Sequence, residues 1–189
     1  MMNKNKYDDD LMYCDNIECL SANLDKAAAD VVELLKNNGL TISVAESCTG
    51  GLLSERITSV SGASEVYELG VCTYSERIKS EFLGVPAETI DKYGVVSDEV
   101  AMAMVRGLKQ CSGADVCVSV TGIAGPSGGT EDMPVGTVYI GFDICGRVFV
   151  KLPPLWELAD RSRENIRRSA ACYAFEVILG SLMEAHDCQ

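Results

Sequence analysis

Ser47 lies in the run Val44-Ala45-Glu46-Ser47-Cys48-Thr49-Gly50-Gly51, and Lys79 follows in a Tyr74-Ser75-x-x-x-Lys79 stretch. A serine hydroxyl and a lysine amine can together cleave an acyl bond, the first as nucleophile and the second as proton carrier. The chain has one histidine, His186, three residues from its end. A Ser-His-Asp or Cys-His site would depend on that tail residue, and a multi-histidine metal site cannot form within one chain. A serine nucleophile here therefore needs Lys, Tyr or a carboxylate as its base. For lysine to act near neutral pH, burial or a nearby cation must lower its pKa. Cys48 is the neighbouring alternative nucleophile, since thiolates are intrinsically more reactive. The plain readings are a solvated surface charge for Lys79 and a packing residue for Tyr74.

These side chains need elements to hold them. Leu40 to Val44 reads as a short apolar strand, and Leu52 to Val60 carries Leu52, Leu53, Ile57 and Val60 at helical spacing. The run between them is a strand-to-helix turn, the kind of place where open α/β sheets bind ligands. Gly50 and Gly51 permit close backbone approach, and a helix N-terminus offers N–H donors to an anion or an oxyanion. The competing reading makes Ser47 or Thr49 a helix N-cap. A second loop, Thr121-Gly122-Ile123-Ala124-Gly125-Pro126-Ser127-Gly128-Gly129-Thr130, follows the apolar strand Asp115 to Val120.

Elsewhere, helices are expected over Leu24 to Asn38, from Ser75 to Gly84, from Pro86 to Tyr93, from Ser97 to Cys111 and over Ser162 to Glu184. A strand is expected from Val66 to Tyr74. A hairpin is expected from Val135 to Ile144 and Arg147 to Leu152 around Cys145-Gly146. Helices alternating with strands predict an α/β fold: a three-layer α/β/α sandwich, mainly parallel, with an antiparallel hairpin. Residues 1–21 read as a poorly ordered arm and 22–189 as one domain. The active site is expected where the strands ending near Ala45, Tyr74 and Thr121 finish.

The net charge of −12 argues against general affinity for nucleic acid or an anionic membrane surface, though not against a small phosphorylated ligand held by local N–H groups. No apolar run approaches a membrane span, and the polar, acidic stretch from Met1 to Asp10 is no signal peptide. The nine cysteines are odd in number and include no C-x-x-C pair, which speaks against a disulfide framework or a structural zinc site. A reducing cytoplasm fits best.

Ala45-Glu46-Ser47-Cys48-Thr49-Gly50-Gly51 resembles the signature of the CinA C-terminal domain, the nicotinamide mononucleotide deamidase family. Tyr74-Ser75 with Lys79, Gly94-Val95-Val96-Ser97, Thr121-Gly122-Ile123-Ala124-Gly125-Pro126 and Pro134-Val135-Gly136-Thr137-Val138 follow in the matching order. The resemblance runs from about Leu24 to Leu182. It implies hydrolysis of the carboxamide of nicotinamide mononucleotide to nicotinate mononucleotide and ammonia, with no metal or other cofactor, by a homodimer or higher homo-oligomer. It also implies a stand-alone deamidase without the larger N-terminal domain that some relatives carry. By this resemblance Ser47 is the nucleophile and Lys79 its base, with Tyr74 relaying the proton or positioning the hydroxyl. Glu46, Thr49, Gly50, Gly51, Thr121, Gly122 and Gly125 are substrate-binding residues, and Glu46 would orient Lys79 or bind a ribose hydroxyl. The family's Gly-Asp-Arg stretch is here Leu158-Ala159-Asp160-Arg161-Ser162-Arg163. Spacing to Ala170 and Ala174 favours Arg163 as the phosphate-binding arginine, while the local Asp-Arg pair favours Arg161. A non-catalytic nucleotide-sensing module of the same fold is the alternative. A phosphoryl-transfer enzyme is disfavoured by the lack of a G-x-x-x-x-G-K-[ST] pattern.

Overall fold

The computed structural model describes residues 17–186. The chain runs α1 (Ile17–Asn38), β1 (Ile42–Glu46), α2 (Leu52–Thr58), β2 (Tyr67–Cys72), α3 (Glu76–Leu83), α4 (Ala87–Tyr93), α5 (Asp98–Ser112), β3 (Val116–Gly122), β4 (Val138–Ile144), β5 (Arg147–Lys151) and α6 (Arg163–His186), with single 3₁₀ turns at Ala63–Glu65 and Leu155–Glu157. The strands form one five-stranded sheet in the order β2-β1-β3-β4-β5. β1 pairs in parallel with both β2 and β3, while β4 is antiparallel to β3 and to β5. The expected α/β/α sandwich is therefore present, with three parallel strands and the hairpin completing the sheet.

β1 and β3 are buried along almost their whole length, as expected for strands covered on both faces. Helices α1, α2 and α6 pack together over one face, and α3, α4 and α5 over the other. Two apolar cores result. One gathers Val31, Leu35, Val44, Ile57, Phe142 and Phe175. The other gathers Ala45, Leu83, Val100, Met104 and Leu108. The β1–α2–β2 connection covers the first face and the α3–α5 connection from β2 to β3 covers the second. The chain thus switches faces between β1 and β3, whose carboxyl ends lie side by side. Such a switch point leaves a crevice at the strand ends.

Local chemistry sets the helix ends. Ser75 and Ser97 cap α3 and α5 by accepting from the Ile78 and Val100 N–H groups. α1 begins at Ile17, with Leu20 buried, so the last residues of the expected arm are helical. The burial of Leu20 explains the longer helix: an apolar residue one turn before Leu24 extends the same stripe. Residues 1–16 lie outside the described residues.

The second core depends on a close approach at Gly107. A Cβ there would sit 1.8 Å from the Leu83 carbonyl oxygen at the end of α3. That neighbour is backbone and cannot rotate away. Gly107→Ala is expected to destabilise the protein by about 2–3 kcal/mol through overpacking, read as a fall in the urea midpoint with unchanged slope.

Candidate active site

The turn after β1 is held by its own strand end. The Glu46 side chain is fully buried and points into the start of α2. Its Oε2 accepts from the Gly51 and Leu53 N–H groups at 3.0 and 3.1 Å. Its Oε1 accepts from the Ser54 N–H and hydroxyl at 2.9 and 2.8 Å. The carboxylate thus takes up donors that the first turn of a helix leaves free and sits at the positive end of the helix dipole. The N-cap position itself is Gly51, in the left-handed region at φ 94°, with no side-chain cap. This settles the capping question: neither Ser47 nor Thr49 caps α2, because a carboxylate reaching in from the strand does so.

Ser47 is consequently free for another partner, and that partner is Lys79. Lys79 has no solvent exposure although it stands on a short helix, so the surface-charge reading of this residue does not apply. Its Nζ lies 3.0 Å from Ser47 Oγ. It also donates to the carbonyl oxygens of Thr73 at 2.7 Å and Tyr74 at 3.4 Å. Among the described residues no carboxylate forms an ion pair with it. Burial pulls its pKa below the usual 10.5, opposed by weaker attraction to Cys48 and Glu76. Cys48 opposes it only as a thiolate, and burial pushes that thiol up to about 12. A neutral amine has two N–H groups and one lone pair. The charged amine donates to all three oxygens; once Lys79 is neutral, its two N–H groups can stay with the carbonyls and its lone pair can face the Ser47 hydroxyl. The raised Cys48 thiol, by contrast, is poorly suited to be the nucleophile.

Ser47, Lys79, Thr121, Gly122 and Arg163 line one cleft of about 530 Å³ at the carboxyl ends of β1 and β3. The half-buried Val95 and Val96 and the buried Ala124 give it an apolar wall. The Thr121 hydroxyl donates to the Val95 carbonyl at 2.8 Å and so ties the β3 end to the loop before α5. Arg163, in the first turn of α6, donates to the Gly125 carbonyl at 2.8 Å and to the Tyr74 hydroxyl at 3.0 Å. Three separate segments thereby meet around one guanidinium. Arg161 does not reach this cleft. It borders a neighbouring hollow of about 380 Å³ with the loop from Pro126 to Thr130.

Several expected site residues stand elsewhere. Glu46 neither orients Lys79 nor faces a ligand, since both its oxygens are committed to α2. Thr49, Gly50 and Gly51 do not line the cleft. The Gly50 N–H donates back to the Ser47 carbonyl and the Gly51 N–H to Glu46, so neither is available for an oxyanion or a phosphate. Thr49 is fully buried, and its carbonyl accepts from Arg167 Nε and Nη2 at 3.0 and 2.6 Å. Tyr74 does line the cleft, but its phenol bonds Arg163 while only its carbonyl meets Lys79, so it is not placed as a proton relay. Gly125 contributes its carbonyl to Arg163 rather than a surface to the cleft. Arg167, which braces the turn through the Thr49 carbonyl, and the Thr73 carbonyl, which holds Lys79, support the site without being legible in its side-chain motifs. The first stands one helical turn after Arg163, and the second is a backbone atom.

A buried serine–lysine pair at the switch point of a mixed sheet between two helical layers defines this molecule as an α/β/α protein with a Ser-Lys site. The chain belongs to the CinA C-terminal domain family, whose model matches residues 24–182. It is 44% identical over 153 residues to a CinA-like protein of Kosmotoga olearia, covering 81% of this chain and 36% of that protein. It is 47% identical over 148 residues to a putative competence-damage inducible protein of Thermoanaerobacter pseudethanolicus, covering 78% of this chain and 35% of that one. The chain thus spans about a third of the length of the curated relatives it matches. Among solved structures, the competence/damage inducible protein CihA of Agrobacterium tumefaciens superposes with a TM-score of 0.79 at 34% identity, covering 84% of this chain and 94% of that one. A CinA-superfamily protein of Klebsiella pneumoniae gives the same TM-score at 27% identity, covering 85% and 98%. No described helix is long and apolar enough to cross a membrane.

Proposed function

We propose that this protein is an amidohydrolase that converts nicotinamide mononucleotide and water into nicotinate mononucleotide and ammonia. The observation that carries the reading is the buried Lys79 amine, held by two carbonyls with Ser47 Oγ 3.0 Å away. A buried lysine without a counter-charge costs stability, and such perturbed groups concentrate at functional sites. That cost also speaks against a purely non-catalytic sensing module. The substrate itself is inferred from the family's signature motifs.

In the first half of the reaction the Ser47 oxygen bonds to the carboxamide carbon while its proton passes to neutral Lys79. The tetrahedral adduct collapses as the Lys79 ammonium protonates the departing nitrogen. The C–N bond breaks, leaving ammonia and a Ser47 ester. Water then enters, loses a proton to Lys79 and attacks the ester carbon. Ser47 recovers its proton from Lys79 as the C–O bond breaks. Among the described residues no backbone carbonyl accepts from the Cys48 N–H, which adjoins the nucleophile in a residue that lines the cleft. It is the donor we assign to the oxyanion. Ammonia release from nicotinamide mononucleotide, measured with and without a chelator, tests the reading. No release, or release abolished by the chelator, would reject it.

Arg163 is assigned to the substrate phosphate, with which a guanidinium forms two parallel hydrogen bonds. On binding it would exchange its bonds to Gly125 and Tyr74 for the phosphate. Arg163→Ala is expected to raise KM for the nucleotide roughly 10–100-fold, as expected for a lost charged hydrogen-bond pair, while changing little for the phosphate-free riboside. Equal losses for both substrates in steady-state kinetics would show that Arg163 serves the cleft's structure instead.

A further inference from the structure

Glu76 is the only carboxylate that lines the cleft among the described residues. It stands in the first turn of α3, directly after the capping Ser75. Its neighbour Arg77 also lines the cleft, with its guanidinium paired to Glu81 one turn on. Glu76 itself has no ion-pair partner among the described residues. Its field nevertheless reaches the site, since it favours the charged form of Lys79. The cleft therefore carries a carboxylate without an ion-pair partner beside the Ser-Lys pair, together with the Arg163 guanidinium, an Arg77 guanidinium already neutralised by Glu81, and the apolar surface of Val95 and Val96. A carboxylate near the nucleophile is unhelpful to a site that only has to hold a phosphate, because like charges repel. It does suit a ligand that is anionic at one end and cationic at the other.

We propose that Glu76 determines specificity for ring charge: its carboxylate faces a positively charged, N-substituted pyridinium ring and selects it over an uncharged ring of the same shape. This rests on the amidase reading above and deepens it, because it names the feature of the substrate that the cleft recognises besides the phosphate. The apolar wall packs on the flat ring, Arg163 takes the anionic end, and Glu76 compensates the quaternary nitrogen. The carboxamide is then left over Ser47.

The test uses the full chain carrying Ser47→Ala, which holds ligand without turning it over. Calorimetry gives Kd for nicotinamide mononucleotide and for its 1,4-dihydropyridine form, which has the same phosphate and carboxamide but a neutral ring. The same pair is then measured with Glu76→Gln added. With Glu76 present the cationic ring should bind about fivefold tighter, the scale of one partly exposed charge pair. With glutamine the ratio should fall towards one. Repulsion between Glu76 and the phosphate acts on both ligands and cancels in the ratio. A ratio unchanged by Glu76→Gln, or no preference for the cationic ring at the outset, would overturn the proposal. Failure of the unsubstituted protein to release ammonia from nicotinamide mononucleotide would instead remove the amidase reading, and this inference with it.

Discussion

Lys79→Ala is expected to lower turnover of nicotinamide mononucleotide by about 10³-fold, the usual scale for removing a positioned general base, and Ser47→Ala by at least as much. Neither should greatly weaken substrate binding, because Arg163 and the Val95–Val96 wall are untouched. Combining the two should cost little more than either alone, since a nucleophile and its base act as one unit. Lys79→Arg should fail as well, because a guanidinium keeps its proton near neutral pH. The pH profile supplies an independent check. Only neutral Lys79 can accept the Ser47 proton, so turnover should rise with pH as this residue deprotonates. Burial places that limb below the 10.5 of a free lysine. Steady-state rates of ammonia release across pH, with circular dichroism to show that each variant is folded, test all of this. Near-normal turnover by Lys79→Ala would exclude the Ser-Lys mechanism.

Glu46→Ala is expected to cost about 3 kcal/mol of stability or more, by removing a buried carboxylate that accepts four hydrogen bonds and leaving its donors orphaned. In a chain of this size that corresponds to a fall in Tm of roughly 6–12 °C. Glu46→Gln should be damaging too, because an amide presents N–H groups where one carboxylate oxygen had accepted. Activity should fall in both variants through the misplaced Ser47 turn, with kcat affected rather than KM alone. The alternative role, binding of a ribose hydroxyl, predicts the opposite pattern: near-normal stability and a raised KM. Thermal unfolding beside steady-state kinetics separates the two.

Much of this was legible in the chain. Apolar β-branched runs marked the buried strands β1 and β3, and Ser75 and Ser97 marked the starts of α3 and α5, because these depend on side chains within one or two turns of each other. Ser47 and Lys79 were legible as a candidate pair through the resemblance of their motifs to the CinA family, since the single tail histidine narrows the base only to Lys, Tyr or a carboxylate. The N-terminal boundary was read too late, because Leu20 declares itself only when the helix has a core to pack against.

What remained was a matter of direction and distance. A glutamate beside a candidate nucleophile reads as chemistry in one dimension. In three, strand alternation turns Glu46 into the helix that follows and leaves Ser47 facing the cleft. Glycines read as open N–H groups, yet the Gly50 and Gly51 donors are spent within the turn itself. Which of Arg161 and Arg163 borders the Ser-Lys cleft depended on which of the two falls in the first turn of α6. The helical register carries Arg163 over Tyr74 and Gly125, while Arg161 stays on the neighbouring loop. Composition and periodicity determine which residues form strands and helices, and the motifs that resemble the CinA family mark the Ser-Lys candidate. Only the packed sheet decides which donors are still free and whether a lysine is dry enough to serve as a base, because hydrogen bonding and desolvation depend on neighbours that are distant in sequence.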